Sequence, residues 1–171
     1  NVISNLMQNV DNIIIVGAMA NNFLAHKGLE IGNSLIEKNS KKIIENVYSQ
    51  AKKKSCKIII PIDCNVSTNF KGSATSKKQN EINKEEIILD IGPETVKKIE
   101  EIIDKSNTVL WNGPAGYFEN KSFATGTNSI AKRISENTIN KSLISILGGG
   151  DTVSAVNKIG EKLTFTHLST A

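Results

Sequence analysis

Short, almost continuously apolar runs alternate along this chain with longer stretches of helical periodicity, and that alternation is its strongest constraint on fold. The runs lie at 13–16, 57–62, 87–90, 108–111, 143–147 and, more weakly, 163–166. Strands with one wet face alternate apolar and polar residues. The first five runs do not alternate, which is the pattern of parallel strands covered on both faces. Helical patterns fill the gaps at 21–27, 34–54 (with a break near Asn39-Ser40), 93–104, 123–137 and 152–159. Pro93 suits a first helical turn, Val96, Ile99, Ile102 and Ile103 form one stripe, and Gly160 suits a helix stop. Strand–helix alternation predicts the α/β class: a Rossmann-like, three-layer, open parallel sheet with helices on both faces. The stretch 67–86 interrupts it; being polar and carrying Gly72, it reads as a surface excursion, with a hairpin as one form.

No linker or internal repeat divides the 171 residues, so 1–171 reads as part of one domain. With 39% hydrophobic residues and only 5% aromatic, its core must be built mainly from Ile, Leu, Val and Ala. The net charge of +4 does not indicate nucleic acid, because the positive charge is nearly all lysine and Arg133 is the sole arginine. Lys52, Lys53, Lys54 and Lys57 read as a solvated helix end, favourably placed at the negative pole of the helix dipole. The longest apolar stretch, 13–20, is far short of the roughly 20 residues a membrane span needs. No secretory signal opens the chain. The absence of an initiator Met suggests a fragment. Cys56 and Cys64 lack the companions of a metal site and read as buried or half-buried thiols in a reducing compartment.

In an open α/β sheet, ligands sit outside the carboxyl ends of the strands, so the residues just after each strand are the ones to test. After the fifth run comes Gly148-Gly149-Gly150-Asp151-Thr152, opening a helix. Glycines allow positive φ and close backbone approach, and the free N–H groups of a helix start suit a phosphate. Thr152 offers a hydroxyl donor, and Asp151 an oxygen ligand for Mg²⁺. A plain helix cap is the competing reading, although three glycines exceed what a cap needs. Neither Gly-Lys-Ser/Thr nor the dinucleotide pattern G-x-G-x-x-G is present.

Three further turns stand beside it. Trp111-Asn112-Gly113-Pro114-Ala115-Gly116-Tyr117-Phe118-Glu119 joins turn formers to the chain's single Trp and a carboxylate. The aromatics could wall a planar base and Glu119 could meet ribose hydroxyls; a solvated surface charge is the plainer reading of Glu119. Gly17-Ala18-Met19-Ala20 could let a ring lie on the backbone or simply pack a helix on a strand. Leu89-Asp90-Ile91-Gly92-Pro93 reads as a structural turn. His26 reads as a capping or surface residue, and His167 as one polar group at a crowded strand end.

Together these segments resemble the phosphoglycerate kinase family. The matching pieces are VGAMANNFL (16–24), GLEIGNSLIE (28–37), ILDIGPET (88–95), LWNGPAGYFE (110–119), GGGDTVSAVNKIG (148–160) and THLSTA (166–171). The resemblance implies a nucleotide-binding, C-terminal-type domain, incomplete at both ends. It assigns Gly149, Gly150, Asp151 and Thr152 to the nucleotide phosphates, with Asp151 on Mg²⁺. Glu119 falls on the ribose, Asn112 and Pro114 on the nucleotide wall, and Gly17, Ala18 and Leu89 on the adenine pocket. Val16 and Ile88 stand where the family favours small residues, so the base pocket departs from the pattern.

The implied reaction is reversible phosphoryl transfer between 1,3-bisphosphoglycerate and ADP, giving 3-phosphoglycerate and ATP, with Mg²⁺ and ADP/ATP held by this chain. On this reading 3-phosphoglycerate belongs to a missing N-terminal domain, and the family's phosphate-binding lysines would precede Asn1. A further glycine-rich helix start would follow Ala171. The fragment is therefore expected to lack efficient catalysis alone. Nucleic acid and membrane partners are not expected, the parent is expected to be monomeric, and the compartment cytoplasmic or a plastid-like organelle. A stand-alone nucleotide-binding module and, more distantly, a Rossmann-type dehydrogenase domain are the rival readings.

Overall fold

A computed structural model describes residues 2–170; Asn1 and Ala171, the last residue of the THLSTA segment, lie outside them. The elements run α1 (Val2–Leu6), β1 (Asn12–Ile14), α2 (Gly17–His26), α3 (Lys41–Lys54), β2 (Lys57–Ile59), β3 (Asp63–Ser67), β4 (Thr75–Lys78), β5 (Ile87–Ile91) and α4 (Pro93–Asp104). They continue with β6 (Thr108–Asn112), a 3-10 turn (Lys121–Phe123), α5 (Thr125–Asn140), β7 (Ile144–Gly148), α6 (Gly150–Asn157) and β8 (His167–Ser169). The class is α/β, with parallel strands flanked by helices, as expected. No helix among the described residues is long and apolar enough to cross a membrane.

The strands do not form one ladder. β1 pairs with β2 in parallel, β6-β7-β8 form a parallel sheet, and β4-β3-β5 form an antiparallel one. The run at 87–90 is therefore not a parallel strand. Its apolar continuity reports coverage instead, because both α2 and α5 pack on β5. The excursion at 67–86 does contain a hairpin, β3–β4, although β3 begins earlier than the polar stretch. The last strand lies at His167–Ser169 rather than 163–166. Thr166 is held off the ladder by a reciprocal pair with Ser145: Ser145 N–H donates to Thr166 Oγ1 at 2.9 Å and Thr166 N–H to Ser145 Oγ at 3.0 Å.

Helix α3 starts only at Lys41, because residues 34–40 answer to α2 instead. Asn21 Nδ2 donates to Leu35 O at 2.9 Å, Glu37 N–H donates to Asn22 Oδ1 at 2.9 Å, and Asn39 takes φ 64°. Helix α4 matches its predicted span. Its stripe buries Val96, Ile99 and Ile103, and its first turn is capped from a distance by Asp63. That carboxylate accepts from the N–H groups of Glu94 and Thr95 at 2.9 and 2.8 Å. Pro93 and Asp63 thus make 89–95 the structural turn its residues suggest.

The core nearest the strand tips joins Ile91, Ile99, Trp111, Ala115, Ile130, Ile134, Leu147 and Val156. Leu147 and Ile134 are fully buried, so truncating either to Ala should cost about 2–5 kcal/mol. On the opposite face of the β6-β7-β8 sheet, Leu110 and Ile144 remain about half exposed, at 51% and 49%. Cys56 and Cys64 are free and buried, as expected, and burial pushes the Cys64 thiol up to about 12.

Candidate functional site

The site is laid out by the pairing of two neighbouring parallel strands. Asn112, the last residue of β6, stands opposite Gly148, the last of β7, so both following loops leave from the same edge. Gly149 takes φ 92°, and a Cβ there would come within 2.8 Å of Asn112 Oδ1. Only glycine fits both conditions. Its own N–H is engaged by Ser169 O at 3.0 Å, which locks the turn to β8. Helix α6 then begins without a side-chain cap. The N–H groups of Gly150, Asp151 and Thr152 therefore lie in the first turn, where no earlier helical carbonyl can receive them. Gly150 is exposed, with open space where a side chain would sit. Asp151 is also exposed, in that first turn.

Thr152 has a different place from the one its hydroxyl suggests. It is fully buried, and its Oγ1 accepts from Gly113 N–H at 2.6 Å, so the side chain ties α6 to the loop after β6. Trp111 also departs from expectation. At 7% exposure it belongs to the core, and its Nε1 donates to Gly113 O at 2.7 Å, so it braces the loop from behind and is not a wall for a base.

The loop 113–120 is pinned along its length. Ala115 N–H donates to Thr127 Oγ1 at 2.9 Å and Tyr117 N–H to Leu89 O at 2.6 Å. At Gly116 a Cβ would approach Leu89 O to 2.5 Å and Asp90 Oδ1 to 2.6 Å. Asp90 lies beneath this contact, 2% exposed, accepting from the N–H groups of Gly126 at 3.0 Å and Ile91 at 2.9 Å. Burial pushes its carboxyl up to about 7, against the opposing pull of those two hydrogen bonds.

Between this loop and α6 lies a cleft of about 410 Å³ lined by Pro114, Gly116, Tyr117, Phe118, Glu119, Asp151, Ser154 and Lys158. It brings together three of the residues singled out from sequence: Pro114, Glu119 and Asp151. Asn112 and Gly149 lie next to each other at the strand ends but do not line it. Lys158, which sequence reasoning passed over, lies on the same face of α6 as Asp151 and Ser154 by helical spacing. Its Nζ sits 5.5 Å from the centroid of the Phe118 ring.

The turn from β1 into α2 approaches from the other side of the loop. Gly17 takes φ 68°, and a Cβ there would meet Pro114 O at 3.0 Å. Ala18 and Met19 are exposed in the first turn of α2, and Leu35 is 64% exposed beside Asn21. The helical pattern read at 34–54 hid Leu35, which lies in the connection between α2 and α3. Asn21 Oδ1 is buried without a hydrogen-bond partner. Leu89 is not surface: its side chain is buried with Ile87 and Phe123, and its carbonyl holds Tyr117. Val16 packs on the main core and Ile88 on the cluster around Leu24 and Cys64, so the bulk of both goes into packing.

Among the described residues no three His, Cys, Asp or Glu side chains gather as a metal site. A single exposed carboxylate such as Asp151 suits an ion that takes most of its oxygens from water and phosphate, as Mg²⁺ does. The chemistry on offer is a set of helix-start amides, one oxygen ligand, one ammonium and a second carboxylate around an open cleft.

Comparison with known proteins gives one family throughout. The sequence model for phosphoglycerate kinase matches residues 1–171. The phosphoglycerate kinase of Zymomonas mobilis is 40% identical over 172 residues, covering 99% of this chain and 43% of that protein. That of Bradyrhizobium diazoefficiens is 41% identical over 171 residues with the same coverage. The solved phosphoglycerate kinase of Coxiella burnetii superposes with a TM-score of 0.92 at 32% identity, over 98% of this chain and 43% of that one. The structure from Pyrococcus horikoshii gives 0.76 at 28% identity, over 99% of this chain and 43% of that one. The chain thus spans less than half the length of these relatives.

Proposed function

Because the chain belongs to the phosphoglycerate kinase family, we propose that it is most of a nucleotide-binding, C-terminal-type domain, serving a kinase that moves a phosphoryl group between 1,3-bisphosphoglycerate and ADP. The observation that carries this reading is the adjacency of Asn112 and Gly148. It sets uncapped helix-start amides, Asp151 and Glu119 around one cleft. The amides of Gly150, Asp151 and Thr152 receive the nucleotide phosphates, with Gly149 shaping the turn and the positive pole of α6 favouring negative charge. Asp151 holds Mg²⁺, which neutralises phosphate charge when bound. Glu119 accepts from the ribose hydroxyls, and Asn112 and Pro114 line the path between sugar and phosphate. Gly17 and Ala18, with the exposed Met19, form the adenine side, and Leu89 supports it by holding Tyr117 through its carbonyl.

Phosphoryl transfer depends on positioning and charge neutralisation, and Lys158 is the one cation lining the cleft. Binding without efficient turnover is therefore the reading for the isolated chain, favoured by its 43% share of its relatives' length. Calorimetry tests it. Mg-ADP binds the wild-type chain, and Asp151→Ala weakens Mg-ADP about tenfold while leaving metal-free ADP nearly unchanged. Equal losses for both ligands would remove the metal role, and no binding by the wild type would remove the nucleotide site. Near-normal rates with 1,3-bisphosphoglycerate would overturn the expectation of weak catalysis.

A further inference from the structure

The hairpin between β3 and β4 does not simply project into solvent; its tip is fastened to the cleft loop. Asn120 Nδ2 donates to Phe70 O at 2.9 Å and to Gly72 O at 3.0 Å. Beside these bonds the Phe70 ring meets Tyr117 edge-on, centroids 5.3 Å apart. The tip has internal order of its own: Lys71 N–H donates to Asn69 Oδ1 at 2.9 Å and Gly72 N–H to Asn69 O at 3.3 Å. The other end of the Asn120 amide is also used. Its Oδ1 accepts from Ser122 N–H at 3.0 Å, capping the 3-10 turn that seats the fully buried Phe123.

Asn120 directly follows Glu119, and Tyr117 lies two residues before it; both line the cleft. Glu119 is exposed and forms no ion pair among the described residues. Its placement is inherited from the backbone on either side. A carboxylate that must meet two neighbouring hydroxyls needs a fixed approach, which an unanchored exposed loop would not give.

We propose that Asn120 is a positioning residue: by clasping the hairpin tip it fixes Tyr117 and Glu119 against the sugar side of a bound nucleotide. This rests on the reading of the cleft as a nucleotide site. It assigns to the β3–β4 hairpin a part in ligand binding, although no hairpin residue lines the cleft.

The two ends of the amide allow a selective test on the full chain. Asn120→Asp keeps the acceptor for Ser122 N–H and loses both donors to the tip. Phe70→Leu keeps an apolar side chain and loses the ring contact. By calorimetry, Asn120→Asp should weaken Mg-ADP about three- to tenfold, the range expected for lost hydrogen bonds of ordinary strength. Mg-pyrophosphate, which uses only the amide cradle and Asp151, should bind as in the wild type, and Tm should hold. Phe70→Leu should shift Mg-ADP in the same direction by less. Unchanged Mg-ADP affinity in both variants, or equal weakening of both ligands with a fall in Tm, would overturn the positioning role. Failure of the wild type to bind either ligand would remove the nucleotide reading itself.

Discussion

The turn from β1 into α2 and the turn from β7 into α6 use the same backbone device. Each places a glycine at positive φ, Gly17 at 68° and Gly149 at 92°, and each starts a helix with no side-chain cap. Both abut the chain at the end of β6: Gly17 at Pro114 O in the loop, Gly149 at Asn112 Oδ1 on the last strand residue. They part in the side chains that follow. Ala18, Met19 and Ala20 are apolar, whereas Gly150, Asp151 and Thr152 give open space, a carboxylate and a buried tether. The glycine and its φ report geometry alone; which ligand a turn suits is decided by the next three residues. Counting glycines would have made the two turns equivalent; on the proposed reading, the residues that follow separate them into a base side and a phosphate side.

The largest expected effect acts on both turns together. Asp90 lies under the loop they share, with its folded carboxyl raised from 3.8 to about 7. The folded state then holds a proton that the unfolded chain has released, so stability falls as pH rises from about 4 through 7. The loss is complete above 7 and on the order of 4 kcal/mol. Denaturant titrations across that range should show the decline, and Asp90→Asn should flatten it. A wild-type stability that rises over the same range would show that Asp90 is not a desolvated acid.

Gly149→Ala comes next, because its φ and the Asn112 oxygen both oppose a Cβ. A loss of about 2 kcal/mol is expected, with Mg-pyrophosphate binding reduced beyond tenfold. Gly17→Ala is milder, about 1 kcal/mol, since a Cβ at 3.0 Å from Pro114 O needs only a small retreat. It should weaken adenosine and leave pyrophosphate alone. If each variant impaired both ligands alike, the division into two sides would collapse.

Much of this was legible in the residues. Ile13, Ile58, Ile146 and Leu147 mark their strands by apolar continuity, although one face of β7 stays partly open at Ile144. The three glycines ahead of Asp151 mark a turn that exceeds a cap. What stayed hidden is polar and tertiary. Strand β3 reads Asp-Cys-Asn-Val-Ser, a poor strand pattern, yet Asp63 is buried as the remote cap of α4 and Asn65 accepts from Ser76 Oγ at 2.7 Å. The direction of β5 could not be read, because apolar continuity records coverage and not pairing. Thr152 looks like a ligand donor until Gly113, 39 residues away, is seen to claim its oxygen. The clasp by Asn120 joins positions 48 and 50 apart, a distance no local pattern spans.

Backbone amide chemical shifts, followed by ¹⁵N-resolved NMR as Mg-ADP is added, test the central claim most directly. The amides of Gly150, Asp151 and Thr152 should move most and should do so with Mg-pyrophosphate as well, while Ala18 and Met19 respond only when the nucleoside is present. Large shifts at residues 17–19 with pyrophosphate, and none at 150–152, would contradict it.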